Sequence, residues 1–394
     1  MVSVQVALSL PPKPSGKRGR PQKGSRETKV YHRLTFVVLV RPSSLARPLL
    51  FVPGSAPGAS FVALDRDVLS ARVSVVEVVP RRGVGQAAFA GQLGRVLLRE
   101  RPARAVVWFA AATYGASTLA ACRLAGVPCL VVAGGMDVAA CPEIGFGEAR
   151  GGWRRRASRW VLEQAALVWA FSESARREIA SRARPRAMAV VPPAVDTTWF
   201  RPASPALVRQ RLVLSTSAAI GPVTIAQKGL DRLVRAAGAL GDVPVVITGA
   251  VDGADPGVRA FVAAAPSNVS FAGHVSREAL RDLYGRAAVV AQLSRHEGFG
   301  VAAAEAAAMG CALVTTDLPV FDEVLGSARV RVPLEAPDAD VAAALRRALD
   351  AGPPAPRWAD IDRRYGVAVR TAAWDAWLTR EGLLPPVRGG EGPG

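Results

Sequence analysis

AAVVAQLSRHEGFGVAAAEAAAMGCALVTT, residues 287–316, is the stretch whose reading decides the fold. Its uncharged opening, AAVVAQLS, has the composition of a buried parallel strand. The HEGFG loop leaves the carboxyl end of that strand, and the Ala-rich segment after it has the composition of a close-packed helix. The two glutamates therefore stand on different elements. Glu297 lies in the loop, and after seven intervening residues Glu305 lies about a turn and a half into the helix. Gly298 and Gly300, on either side of Phe299, let a ligand approach the backbone, and the free N–H groups of a helix start favour an anion such as phosphate. One loop thus offers a phosphate seat with a carboxylate on either side. A nucleoside diphosphate sugar needs this combination: acceptors for sugar and ribose hydroxyls, donors for the diphosphate. Two solvated glutamates near a helix start are the alternative.

Outward from this stretch, short apolar runs keep alternating with helix-length segments. In the second half, strands are expected at 211–218 and 243–250, with a short strand and loop over 268–276. Helices are expected over 227–240 and 277–287, and ALVTTDLPVFDEVLG (312–326) and ARVRVP (328–333) follow the central stretch. In the first half, LLFV (49–52) is a first strand, and the Gly/Pro/Ser loop after it carries Gly54 and Gly58. Strands at 73–79, 105–110, 127–135, 166–172 and 187–193 then alternate with helices over 86–100, 115–125, 153–165 and 173–182. This is the pattern of doubly wound parallel sheets, an α/β fold. The Gly54 loop is not a G-x-G-x-x-G fingerprint, but the carboxyl end of a first parallel strand is where such sheets bind ligands. A chain of 394 residues is too long for one ordinary core and suits two domains. The first is placed at 47–203 and the second at 204–356, with a hinge near 202–206. RWADIDRRYGVAVRTAAWDAWL (357–378) reads as one long amphipathic terminal helix inside a segment 357–382, and 383–394 as a loose tail.

Half of the chain is hydrophobic. Its longest uncharged run, residues 105–122, is long enough to raise the question of a membrane span, but Thr113, Tyr114, Gly115, Ser117 and Thr118 divide it into a strand, a turn and a helix. The first ten residues lack the basic region of a secretory signal. The chain therefore reads as cytoplasmic, with attachment to the inner face of a membrane left open. Cys122, Cys129, Cys141 and Cys311 show no metal spacing and read mainly as buried free thiols, and three histidines make a histidine-rich metal site unexpected. No metal and no cofactor are expected. The net charge is +18, but residues 1–47 hold ten Lys/Arg against Glu27 alone and so carry +9 of it. Residues 1–46 read as a disordered basic extension. The remaining, moderately basic surface suits nucleotide handling or an anionic membrane surface. In GGWRRRASRWVLEQ (151–164), Trp153, Ala157, Trp160, Val161 and Gln164 share a helical face, read as a core-facing stripe beneath solvated arginines. A membrane-surface face is the alternative.

The stretch from Ser294 to Glu305 resembles the E-x7-E signature of retaining glycosyltransferases with the glycosyltransferase-B (GT-B) fold, particularly family four. Both glutamates, the intervening Gly298–Phe299–Gly300 and the following small-residue helix and strand are in register. VVPPAVDTTWFRP (190–202) is similar to the family's linker at Val195, Asp196, Phe200 and Pro202, with Pro193 and Ala194 where an asparagine and a glycine usually stand. Lys228–Gly229 looks like the family's lysine-glycine pair, and Gly134–Gly135–Met136–Asp137 like the glycine-glycine-x-aspartate loop of some members. Pro222 and Val223 occupy the place of the family's usual arginine, so either another cation substitutes or diphosphate binding is weaker.

The resemblance covers roughly residues 48–380 and implies two Rossmann-like domains facing across a cleft, with the last helix crossing back to the first domain. It implies a metal-independent hexosyl transfer from a nucleoside diphosphate sugar, the co-substrate, with retention at the anomeric carbon. Glu297 would hold donor-sugar hydroxyls and Glu305 the ribose. The amides of Gly298, Phe299 and Gly300 together with Lys228 would hold the departing diphosphate, and backbone around His274–Val275 the nucleobase. Asp137, beside Gly134 and Gly135, would contact sugar or acceptor; capping of the next turn is its alternative role. The acceptor is unknown: glycan, lipid and small molecule all remain open. A nucleotide-sugar epimerase or phosphorylase of the same fold is the first rival. A nucleic-acid-binding protein resting on the basic extension is a rival of another class, although no nucleic acid is expected as a partner. A glycosidase is more distant, since it needs two facing acids and no nucleotide.

Overall fold

Apolar runs rich in Val, Leu and Ala form the strands, and among the described residues every strand pairing is parallel. The computed structural model describes residues 47–54, 59–80, 85–108, 112–202 and 209–385. Gly58, the expected hinge after Pro202 and the basic extension 1–46 lie outside them. The first lobe runs β1 (Leu49–Val52), α1 (Ser60–Ser70), β2 (Val75–Glu77), α2 (Gln86–Glu100), β3 (Arg104–Trp108), α3 (Ala112–Leu124), β4 (Cys129–Ala133), α4 (Gly152–Gln164), β5 (Leu167–Ala170), α5 (Glu173–Arg182) and β6 (Met188–Val190). The second runs β7 (Gln210–Ile220), α6 (Pro222–Gln227), α7 (Leu230–Ala237), β8 (Val245–Val251), α8 (Pro256–Ala263), β9 (Val269–Gly273), α9 (Arg277–Arg286) and β10 (Ala287–Gln292). It continues with α10 (Val301–Met309), β11 (Ala312–Thr316), α11 (Pro319–Leu325), β12 (Val330–Val332) and α12 (Asp338–Ala351). Two more helices, α13 (Trp358–Tyr365) and α14 (Val367–Arg380), complete the chain. The uncharged run 105–122 is β3 and most of α3, and no described helix is long and apolar enough to cross a membrane.

The sheets have strand orders 2-1-3-4-5-6 and 12-11-10-7-8-9. In each, the chain leaves its first strand in one direction and later returns to that strand's other side. A crevice therefore opens outside the carboxyl ends of β1 and β3, and another outside those of β7 and β10. Ligands bind open α/β sheets at such reversals. The second crevice holds the HEGFG loop, because that loop leaves β10.

One apolar cluster joins the lobes: Phe51, Trp108 and Trp169 on the first side, Trp374 and Trp377 of α14, and Phe299 and Phe321 on the second. The expected terminal helix is two helices. Gly366 breaks the helix with an extended ψ of 165°, and only glycine fits there, since a Cβ would lie 2.4 Å from Asp362 Oδ1 and 2.5 Å from its carbonyl oxygen. Tyr365 O accepts from Val195 N at 2.8 Å, which fastens the bend to the segment between the lobes.

Past the bend, α14 lies on the first lobe, and an ion pair is buried beneath it. Arg370 donates through Nε and Nη2 to Asp65 at 2.9 and 2.6 Å, Trp374 Nε1 donates to Asp65 at 2.7 Å, and both charged side chains are 1 % exposed. Three D-x-D triplets within or beside expected helices, Asp65–Arg66–Asp67, Asp338–Ala339–Asp340 and Asp360–Ile361–Asp362, read from the sequence as solvated charge, and this pair corrects that reading for Asp65. Asp67 of the first triplet is exposed, but Asp65 is turned inward by α1 toward a partner about three hundred positions away, which local spacing cannot reveal. Asp65→Ala leaves a buried guanidinium unpaired and should cost about 3–5 kcal/mol of stability, measured by urea unfolding; Asp65→Leu with Arg370→Met should recover most of it.

The tryptophan stripe is also corrected. Val161 of that stripe is buried and Trp160 packs half-buried against the first-lobe core, but Trp153 is 58 % exposed, and the buried face of α4 is Ser158, Val161 and Leu162. Ser158 Oγ donates to Asp137 O at 2.6 Å and rolls that side of the helix inward.

Candidate functional site

The site is built where β10 ends. All six residues of β10 are buried, and the turn between α6 and α7 is pressed onto the strand's carboxyl end. Gly229 makes this contact possible: its φ is +65°, and a Cβ there would lie 2.0 Å from Leu293 O. Two further bonds stitch the turn to the loop, Arg295 N to Gln227 O at 2.9 Å and Gln227 Nε2 to His296 O at 2.8 Å. The result is Lys228 Nζ 2.6 Å from Glu297 Oε1. The six-residue helix α6, opened by Pro222 after Gly221, was read past in the sequence, and Lys228 was therefore expected at a helix start. It is instead the cap residue after α6, where the helix dipole favours a cation.

Glu297 Oε1 also accepts from Gln292 Nε2 at 2.9 Å and from Ser294 Oγ at 2.8 Å. Burial would raise the pKa of this carboxyl, but the Lys228 ammonium and the two neutral donors hold it below the usual carboxylate range. Glu305 has the opposite environment. It is buried in α10 and accepts from Tyr284 Oη at 3.2 Å; burial pushes it up to about 7, against a weaker opposing effect of the tyrosine.

Both glutamates line one cleft of about 1130 Å³ between the lobes. The second lobe contributes Lys228, His274, Val275 and the run Glu297–Ala302 that contains the start of α10. The first lobe contributes residues of α1 with Gly135, Phe146 and Phe171. Of the other cations on its walls, Arg72 is paired with Asp375 and Arg277 with Asp196.

Two family models match the sequence: "Glycosyltransferase Family 4" over residues 43–199 and "Glycosyl transferases group 1" over residues 215–351. The chain belongs to the glycosyltransferases. Its architecture is that of the GT-B fold, and solved structures share it. HepE from Anabaena, crystallised with UDP and glucose, superposes with a TM-score of 0.67 at 15% identity over 85% of this chain and 100% of its own. Sucrose-phosphate synthase from Thermosynechococcus elongatus gives 0.64 at 16% identity over 85% and 97%. AviGT4, a glycosyltransferase involved in avilamycin A biosynthesis, gives 0.56 at 18% identity over 85% and 98%. No curated protein matches the chain by sequence.

The two small residues of this glycosyltransferase's central loop have structural duties that the sequence reading gave to a ligand. Gly300, at φ +86°, is the cap of α10, and a Cβ there would lie 2.7 Å from the Phe321 ring. At Gly298 a Cβ would lie 1.6 Å from Gly134 O, so its bareness serves the approach of the opposite lobe. The lobes meet around this point. Ser172 Oγ donates to Gly298 O at 2.8 Å, His296 Nε2 lies 3.0 Å from Glu178 Oε2, and Glu323 accepts the backbone N–H groups of Glu173 and Ser174 at 2.8 and 3.2 Å. Gly298→Ala must displace backbone and should lower kcat/KM by roughly tenfold to a hundredfold with an unchanged far-ultraviolet spectrum, measured by steady-state kinetics and circular dichroism.

Asp137 does not stand as a group facing the reaction. It is buried, off the cleft wall, and accepts from Gly135 N at 2.9 Å and Gly134 N at 3.3 Å. Burial raises its pKa to about 6 against those backbone donors. It closes its own loop, so that Gly135 reaches the cleft while Asp137 does not. Gly54, at φ +73°, is buried at the end of β1 and is likewise off the cleft wall. His274 is exposed and Val275 half-buried, and both line the cleft. Phe299 is buried, with its ring 5.0 Å from that of Tyr365. The sequence reading missed Tyr284, Ser172 and Gln292. Of these only Gln292 had a signal, a lone polar residue in the run AAVVAQL.

Proposed function

We propose that this glycosyltransferase moves a hexosyl group from a nucleoside diphosphate sugar to an acceptor hydroxyl with retention at the anomeric carbon and without a metal ion. The observation that carries the proposal is the convergence of Lys228, Glu297, Glu305 and the start of α10 on one interlobe cleft. Crystals of HepE with UDP-glucose support the donor class.

In the reaction the bond from the anomeric carbon to the diphosphate oxygen breaks, the bond to the acceptor oxygen forms on the same face, and a donor phosphate oxygen takes the acceptor proton. Charge grows on the diphosphate. Lys228 and the free N–H groups at the start of α10 are suited to stabilising it. Glu297, held ionised and hydrogen-bonded through Oε1, is a weak base and a firm acceptor for sugar hydroxyls. Glu305, deeper in the cleft, is suited to ribose hydroxyls.

The test is incubation with α-linked UDP, GDP and ADP sugars and a panel of glycan, lipid and small-molecule acceptors. Free nucleoside diphosphate should appear only when an acceptor is present, the product should carry the α linkage by its anomeric proton coupling, and activity should persist in EDTA. A β-linked product overturns retention. Donor epimerised without release of nucleotide favours the rival epimerase, and inactivation by EDTA that Mg²⁺ restores overturns metal independence.

A further inference from the structure

Strand β10 is apolar until its last residue. Side chains alternate across a strand, so Gln292 shares a face with Val290, a member of the apolar cluster that joins the lobes. A glutamine there is 5 % exposed, and among the described residues its Oε1 is buried with no hydrogen-bond partner. An orphaned buried acceptor is destabilising, and an aliphatic side chain would avoid it. The other end of the same amide, Nε2, donates to Glu297 Oε1.

We infer that Gln292 is a positioning residue, which fixes the carboxylate of Glu297 for the transferred sugar at the expense of its own second hydrogen bond. The inference rests on the proposed transfer reaction. Three donors meet on Glu297 Oε1, and they differ in kind: the Lys228 side chain is 24 % exposed on the cleft wall, whereas Gln292 and Ser294 are buried. An ammonium has three N–H groups, and those that turn to a diphosphate oxygen are drawn away from Glu297. When that happens the two neutral donors remain, and with them the orientation in which the second carboxylate oxygen faces the sugar. Ser294 reaches Glu297 from within the same loop, only three positions away, and moves with it. Gln292 is anchored in the sheet through pairing of β10 with β11, so of the two neutral donors it is the one that ties the Glu297 carboxylate to the sheet.

Gln292→Met, close in volume and without polar atoms, is the test, made on the full chain in four variants: wild type, Gln292→Met, Glu297→Ala and the double variant. Titration with UDP, GDP and ADP identifies the nucleotide, and kinetics use the corresponding glucose conjugate. Gln292→Met should melt at or above the wild-type temperature and bind the nucleotide within about twofold of wild type, while kcat/KM for the donor sugar falls about tenfold. In the Glu297→Ala background the same substitution should have no further effect on kcat/KM, the coupling expected of residues that act through one contact. An unchanged kcat/KM in Gln292→Met overturns the inference. So does a loss that matches an equal loss of nucleotide affinity or of melting temperature, and so does a full tenfold loss that persists without Glu297. A wild type that binds none of the three nucleotides overturns the transfer reading, and the inference with it.

Discussion

Lys228→Ala should lower kcat/KM for the donor sugar by about a hundredfold or more, the loss typical of removing one preorganised charge from a developing oxyanion. Two effects add. The departing diphosphate loses Lys228 from its wall of the cleft, and Glu297 loses the cation that keeps it ionised. With Lys228 gone, burial dominates at Glu297 and its pKa rises, so the variant should also lose activity at the acid end of the pH range sooner than the wild type does. Lys228→Arg should not restore the rate, because a planar guanidinium cannot replace a point charge set by the Gly229 turn. The measurements are steady-state kinetics and the pH profile of kcat/KM. Equal acid limits in wild type and Lys228→Ala would contradict the electrostatic part of the account.

Glu305→Gln should make the protein more stable and worse at holding its donor. The carboxyl of Glu305 titrates near 7 in the fold against an ordinary 4.5, with burial as the main cause. A raised acid pKa means that the folded state holds the proton more tightly, so the contribution of this group to stability is full below about 4.5 and is lost as pH rises through about 7. Above that, the buried charge costs about 3 kcal/mol. Glutamine keeps the contact with Tyr284 without the charge. Urea unfolding should therefore find the variant about 3 kcal/mol more stable than wild type at pH 8 and nearly equal at pH 4.5. Donor affinity in the wild type should strengthen as pH rises through about 7, since the ionised carboxylate is the better acceptor for ribose hydroxyls. In Glu305→Gln it should be weaker by about tenfold or more at pH 8 and should no longer follow pH.

The loop between β10 and α10 was legible because each of its parts is local. An uncharged run makes the strand, two glycines make the turn, and an alanine run makes the helix, so Glu297 and Glu305 could be assigned to separate elements from composition alone. The alternation of apolar runs made the two sheets legible in the same way. Contacts that depend on the two lobes meeting were not. Gly298 looked like room for a ligand because nothing nearby in sequence shows that Gly134 O lies against it. Asp65 looked solvated because its partners, Arg370 and Trp374, come from the far end of the chain. Asp137 shows a different failure: a carboxylate after two glycines suits a cleft and suits a loop closure equally, and only the distances to Gly134 N and Gly135 N decide between them.

The most direct test of a nucleotide-sugar cleft between the lobes is isothermal titration of UDP, GDP, ADP and their glucose conjugates into wild type, Lys228→Ala and Glu305→Gln at pH 8. The account predicts that at least one nucleotide binds the wild type and that both variants weaken it by about tenfold or more. Equal binding by all three proteins, or binding that disappears with residues 1–46 and ignores the two substitutions, would contradict it.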